Sequence, residues 1–144
     1  MKRLIVITGA TACGKTAMSV KLAKQLNTEI ISCDSRQFFK EMSIGTAKPS
    51  LEEMDGITHH FVDSHSVTEE INAGKFERLA LPVLEKLFET HDDVILTGGS
   101  GLFIDAIVNG FDDMPIIPKE TRENLNHLFS STGIEPLYTQ LKEL

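Results

Sequence analysis

Eight residues near the start, Gly9-Ala10-Thr11-Ala12-Cys13-Gly14-Lys15-Thr16, follow an apolar, largely β-branched run and precede a helix-forming stretch. A G-x-x-x-x-G-K-[ST] turn between a strand and a helix restricts the chain to an α/β arrangement with a parallel sheet. The glycines let the backbone curl so that successive N–H groups point inward and cradle a diphosphate, assisted by the positive end of the helix that follows. Lys15 adds a point charge and Thr16 a hydroxyl able to ligate Mg²⁺. The loop specifies a grip on a diphosphate and leaves the reaction open, because kinases, NTPases and transferases all hold phosphates this way.

Periodicity extends this nucleus. Arg3–Thr8 reads as a strand buried on both faces, and Lys15–Leu26 as a helix with Met18, Leu22 and Leu26 at helical spacing. A short strand over Glu29–Ser32 completes a βαβ unit. Ser50 with Glu53 and Ser66 with Glu69 match the capping box, so each is expected to open a helix, with an extended piece over Thr58–Val62 between them. From Asn72 to Thr90 apolar positions recur every three or four residues through Pro82, which predicts a long helix. Val94–Thr97 is a further buried strand, and Gly98-Gly99-Ser100-Gly101 turns into a helix reaching about Asn109. A loop over residues 112–118, with Asp112-Asp113 as a solvated turn, leads to a helix over Lys119–Phe129. A last helix has Pro136 in its first turn. The expected fold is α/β: one P-loop NTPase-like domain over residues 1–144, a parallel sheet flanked by helices. Its last helix carries Leu137, Leu141 and Leu144 on one face and stops abruptly, as though truncated.

Composition removes other classes. Hydrophobic residues make up 41% and charged ones 24%, which argues against a disordered or collagen-like chain. The longest aliphatic runs, Leu4–Ile7 and Val94–Leu96, are far short of the roughly 20 residues that a membrane-spanning helix needs. Two cysteines, Cys13 and Cys33, are too few for a disulfide framework; they read as small fillers in a protein of the reducing cytoplasm. The net charge of −7 is uneven: residues 1–50 carry eight Lys and Arg against three acids, so the basic third suits an anionic ligand.

Ligands of open parallel sheets bind beyond the carboxyl ends of the strands, so the stretches after Thr8, Ser32 and Thr97 should converge. Asp34, after the second strand, is placed to act as a general base or to reach a metal shell; alternatively, Asp34 with Gln37 forms a D-x-x-Q capping box. Ser100 offers a hydroxyl beside the cleft, or only a strand-to-helix turn. The strand Val94–Thr97 ends in Thr-Gly-Gly without the acid usual in ATPases and GTPases, which makes a diphosphate leaving group the better reading. His59, His60 and His65 lack the partners of a metal site and read as hydrogen-bonding positions near the cleft.

Four blocks in order, GATACGKT, DSRQFFKEMSIGTAKP (34–49), HHFVD (59–63) and TGGSGLFIDA (97–106), resemble the motifs of tRNA dimethylallyltransferases, also called tRNA isopentenyltransferases. The resemblance implies transfer of a dimethylallyl group from dimethylallyl diphosphate to the exocyclic amine of the adenine beside the anticodon, with release of diphosphate. It implies a diphosphate site at Gly9, Ala10, Thr11, Ala12, Cys13, Gly14, Lys15 and Thr16, with Thr16 on Mg²⁺ and Thr11 near the bridging oxygen. Asp34 would take or orient the amine proton. Asp34, Ser35, Arg36, Gln37, Ser100 and Arg122 would contact tRNA, whose target adenine must leave its stack. Ala10 and Cys13 stand where proline and serine are usual, and Phe39 and Phe103 where tyrosine is common. Family members are longer, and the part without a counterpart here carries a diphosphate-clamping arginine and most of a helical tRNA-binding region. These 144 residues are therefore expected to bind diphosphates weakly and to transfer little, as a cytoplasmic protein and by default a monomer. Other readings are an adenylate dimethylallyltransferase, an ATP-binding P-loop nucleotide kinase, which would form ADP, and a non-catalytic phosphate- or RNA-binding remnant.

Overall fold

Runs of apolar residues that alternate between two covered faces need a helix layer on each, and the chain supplies them in the order strand, helix, strand. A computed structural model of the protein describes all residues except 113, 114 and 116. The expected loop over 112–118 and the Asp112-Asp113 turn therefore lie partly outside the described residues.

The elements are β1 (Arg3–Thr8), α1 (Lys15–Leu26), β2 (Ile30–Ser32), α2 (Leu51–Met54), β3 (His59–His60), α3 (Ala73–Thr90), β4 (Asp93–Gly98), α4 (Gly101–Val108), α5 (Lys119–Thr132) and α6 (Glu135–Glu143). The four strands form one parallel sheet in the order β1-β4-β2-β3, with Ile5 opposite Ile95 and Ile30 opposite Ile95 on its other side. Successive side chains of β4 serve opposite faces. Ile95 joins Ile30, Val20 and Ala23 under α1, whereas Val94 and Leu96 pack with Phe76, Ala80, Leu84, Phe103 and Ala106 from α3 and α4. The α3 stripe Ala73, Phe76, Ala80, Leu84, Leu87 is buried along one face, and the helix runs on through Pro82.

Some expectations change. β1 lies at an edge of the sheet, because β4 enters between β1 and β2, and it is not buried on both faces: its residues are exposed or only partly covered, Val6 being 37% exposed. Ser50 and Glu53 form the expected reciprocal cap of α2, but Ser66 opens no helix. Glu69 does accept from the Ser66 N–H, yet the Ser66 hydroxyl donates to Glu41, and a single turn results. The actual cap of α3 is Asn72, whose side chain accepts from the Lys75 N–H. Of the extended piece over 58–62, only His59–His60 pairs as a strand.

Where the sequence reads as one unit, the described residues form two compact ones, Met1–Phe111 and Asp112–Leu144. The second is the α5–α6 hairpin. It buries none of its residues, and Leu125, Phe129, Tyr138 and Leu141 stand exposed on it. No described helix is long and apolar enough to cross a membrane.

Candidate active site

Three strand tips of the first unit meet at one cleft. The loop after β1 enters α1 through Gly14, whose φ of 88° lies in the left-handed region that a side chain disfavours. Ala12 also adopts positive φ, a strained choice for a residue with a Cβ, and marks a loop shaped for something other than stability. Lys15 Nζ donates to the carbonyls of Gly9 at 2.9 Å and Ala10 at 2.6 Å, folding its charge over the loop. Beneath, Ser19 Oγ lies 2.8 Å from the Lys15 carbonyl and 2.9 Å from Thr97 Oγ1, a buried polar link from α1 to β4.

β2 hands the chain to Cys33 and Asp34. The Cys33 N–H donates to the Thr97 carbonyl at 2.7 Å, extending the ladder one residue past the strand. At that crossing the backbones lie so close that a Cβ on Gly98 would sit 1.9 Å from the Cys33 oxygen. The Asp34 carboxylate accepts from the Arg36 N–H at 3.0 Å, two residues on, and the Ser35 N–H donates to Ser100 Oγ at 3.1 Å. The capping-box alternative for Asp34 is thus replaced by an Asx turn. Gln37 cannot close the box because Oε1 accepts from Ser32 and Nε2 donates to the Ala47 carbonyl at 2.9 Å. Phe38, fully buried against Phe61, Phe76 and Phe103, anchors this turn to the core.

The resulting cavity has a volume of about 650 Å³, a size that accommodates a small organic ligand. Thr11, Ala12, Gly14, Lys15 and Thr16 line one wall and Asp34, Ser35, Arg36 and Gln37 another, with Ser100 at the third tip. Of the loop residues named from the sequence, Gly9, Ala10 and Cys13 are outside the lining; the first two meet Lys15 through their carbonyls. Arg122 belongs to the second unit, exposed near the start of α5.

Sequence reasoning did not single out the fourth wall, the strap Gly45-Thr46-Ala47-Lys48-Pro49 with Glu53 behind it. Its one available signal was that Lys48 and Pro49 close the second motif block. Among the histidines only His59 reaches the cleft: its Nδ1 meets the Ile57 carbonyl at 2.9 Å, while burial lowers its pKa and favours the neutral ring. His60 pairs with Glu29, and His65 with Ser64. Among the described residues no three His, Cys, Asp or Glu side chains form a metal cluster. The cysteines part company as well. Cys13 is exposed rather than a core filler, and Cys33 is buried, its thiol pushed up to about 12 by burial first and the Asp34 charge second.

A family model described as IPP transferase matches residues 37–144. The chain is 53% identical over 144 residues to a tRNA dimethylallyltransferase of Flavobacterium johnsoniae, covering 100% of this chain and 47% of that protein. To the tRNA dimethylallyltransferase of Cytophaga hutchinsonii it is 52% identical, covering 99% and 47%. Among solved structures, the full-length tRNA isopentenylpyrophosphate transferase from Bacillus halodurans aligns with a TM-score of 0.76 at 38% identity, over 99% of this chain and 48% of that one. A eukaryotic dimethylallyltransferase acting on tRNA aligns at 0.82 with 28% identity, over 99% and 36%. The chain spans about half the length of the curated relatives it matches.

Proposed function

The chain belongs to the IPP transferase family, and from that premise we propose that it is the phosphate-gripping half of an enzyme that transfers a dimethylallyl group from dimethylallyl diphosphate to the exocyclic amine of an adenine beside the tRNA anticodon. The observation that carries the proposal is the single cleft shared by Thr11, Lys15, Thr16, Asp34 and Ser100. Each supplies what the reaction requires. The allylic carbon–oxygen bond breaks with its electron pair leaving on the diphosphate, so charge builds where the loop amides, Thr11 and Lys15 gather. Lys15 would swing from the Gly9 and Ala10 carbonyls to the phosphate oxygens.

The amine attacks the allylic carbon and must lose a proton. Asp34 is the carboxylate at the neighbouring tip; one oxygen takes the Arg36 N–H and the other is available to orient the amine and accept that proton. Ser35, Arg36, Gln37 and Ser100 would meet RNA along the same rim, with Arg122 contributing a phosphate contact from α5.

A magnesium ion fits the residues present. Mg²⁺ keeps several waters and binds through substrate phosphates plus one or two protein oxygens, and the cleft offers the Thr16 hydroxyl beside the loop. When bound, it would neutralise charge on the leaving diphosphate. The kinase reading is disfavoured because β4 ends in Thr97 and Gly98, with no carboxylate at its tip. A tRNA acceptor supports a cytoplasmic setting for this reading.

The test is titration of inorganic pyrophosphate, with Mg²⁺, into the wild-type chain and K15M. Loss of one charge-assisted contact should weaken binding roughly tenfold or more. In a mixture of dimethylallyl diphosphate and an anticodon stem-loop, any product should be prenylated adenine, abolished by D34N. Formation of ADP from ATP, or equal pyrophosphate affinity in K15M, would overturn the proposal.

A further inference from the structure

A lysine on the wall of a phosphate cleft invites assignment as a phosphate ligand, yet the Lys48 side chain is only 8% exposed. Its Nζ donates to the Phe39 carbonyl at 2.7 Å and to the Asp63 carboxylate at 2.5 Å. The Asp63 N–H then donates to the Gln37 carbonyl at 3.0 Å, and Gln37 Nε2 returns to the strap at the Ala47 carbonyl. These bonds close a ring that joins the strap, the Asp34–Phe39 turn and residue 63. The strap needs such fastening, because Gly45 at φ 74° and Ala47 at φ 48° curl its backbone and Ala47 is strained there.

We propose that Lys48 is a positioning residue, a buried ammonium latch that holds the strap against the turn bearing Asp34 and so fixes the spacing of two cleft walls. The inference rests on the reading of the cleft as a diphosphate and acceptor site, in which the position of Asp34 decides whether the amine is held in line. Unlike Lys15, whose ammonium meets neutral carbonyls, Lys48 is buried and its charge is already met by the Asp63 carboxylate, so that charge serves the wall and not the ligand.

The test uses amide exchange and chemical shifts of the full chain for wild type, K48M, D63N and the double variant, with pyrophosphate titrations beside them. D63N guards against misfolding of K48M, because Asp63 is half exposed. The Asp63, Ser35 and Arg36 amides should exchange roughly tenfold faster in both single variants, with the double variant no worse than either. The β4 amides should stay protected, pyrophosphate affinity should remain within about twofold of wild type, and K48R should restore part of the protection. The latch is refuted if K48M alone loses pyrophosphate affinity tenfold, if protection falls evenly through β4, or if the three amides do not change. Should the wild-type chain fail to bind pyrophosphate, the functional reading falls, and the exchange pattern still decides the latch.

Discussion

Substituting Gly98 by Ala tests how the strand tips are brought together. A Cβ at this position would lie 1.9 Å from the Cys33 oxygen and 2.4 Å from its carbonyl carbon. An ordinary carbon–oxygen contact is about 3.3 Å, so the two backbones must part by roughly 1.4 Å. That displacement breaks the 2.7 Å hydrogen bond from the Cys33 N–H to the Thr97 carbonyl. Overpacking of this kind costs about 1–3 kcal/mol and the lost bond about 1 kcal/mol more, for a total of about 2–4 kcal/mol. For a unit of this size the Tm should fall by about 8–16 °C in a thermal melt. Because Asp34 follows Cys33 directly, the Ser35 N–H contact to Ser100 should be lost too, visible as a shift of the Ser35 amide resonance.

Gly101→Ala is the matched control. Nothing lies within 4 Å of a Cβ there, and the position starts α4. Replacing a helical glycine with alanine stabilises by up to about 1 kcal/mol, so the melt should hold or rise slightly. If G98A melts within about 3 °C of wild type, or if G101A falls as far as G98A, the close crossing of β4 and Cys33 is not what shapes the cleft.

Alkylation of the native protein at neutral pH should modify Cys13 and spare Cys33, whose thiol is buried and pushed up to about 12; mass spectrometry showing equal labelling would contradict that placement. The Arg3 guanidinium, bonded to both Asp93 oxygens, holds that carboxyl below the usual carboxylate range. Its contribution is therefore present above the unfolded value of about 3.9 and lost as pH falls through the lower folded value, so the Tm gap between wild type and D93N should close in acid. A gap that does not narrow as the pH falls below the unfolded value would place its origin elsewhere. Phe38→Ala should cost about 3–5 kcal/mol, read by chemical denaturation, because the ring is fully buried among Phe61, Phe76 and Phe103.

Much of the site was legible because its parts are local. The turn between β1 and α1 joins a left-handed Gly14, a lysine and a hydroxyl at fixed offsets, and residues that near in sequence are near in space whatever else the chain does. Asp34 and Ser100 could be assigned to strand tips by counting, since a parallel sheet aligns its carboxyl ends. Local pattern misled where a distant partner competed: Glu41 takes the Ser66 hydroxyl that a helix cap would have used, and Ser32 and Ala47 take the Gln37 amide.

The sequence by itself determined the α/β class, the long amphipathic α3 and the glycine-rich turn between β1 and α1, all of which follow from short-range spacing. Only the tertiary structure decided that β4 lies between β1 and β2 with β1 at an edge, that the backbones of Cys33 and Gly98 cross closely, and that Lys48 is bonded inward. Those outcomes depend on which strand pairs with which and on which carbonyl lies within reach of an ammonium, and neither is encoded in the identity of the residues next door.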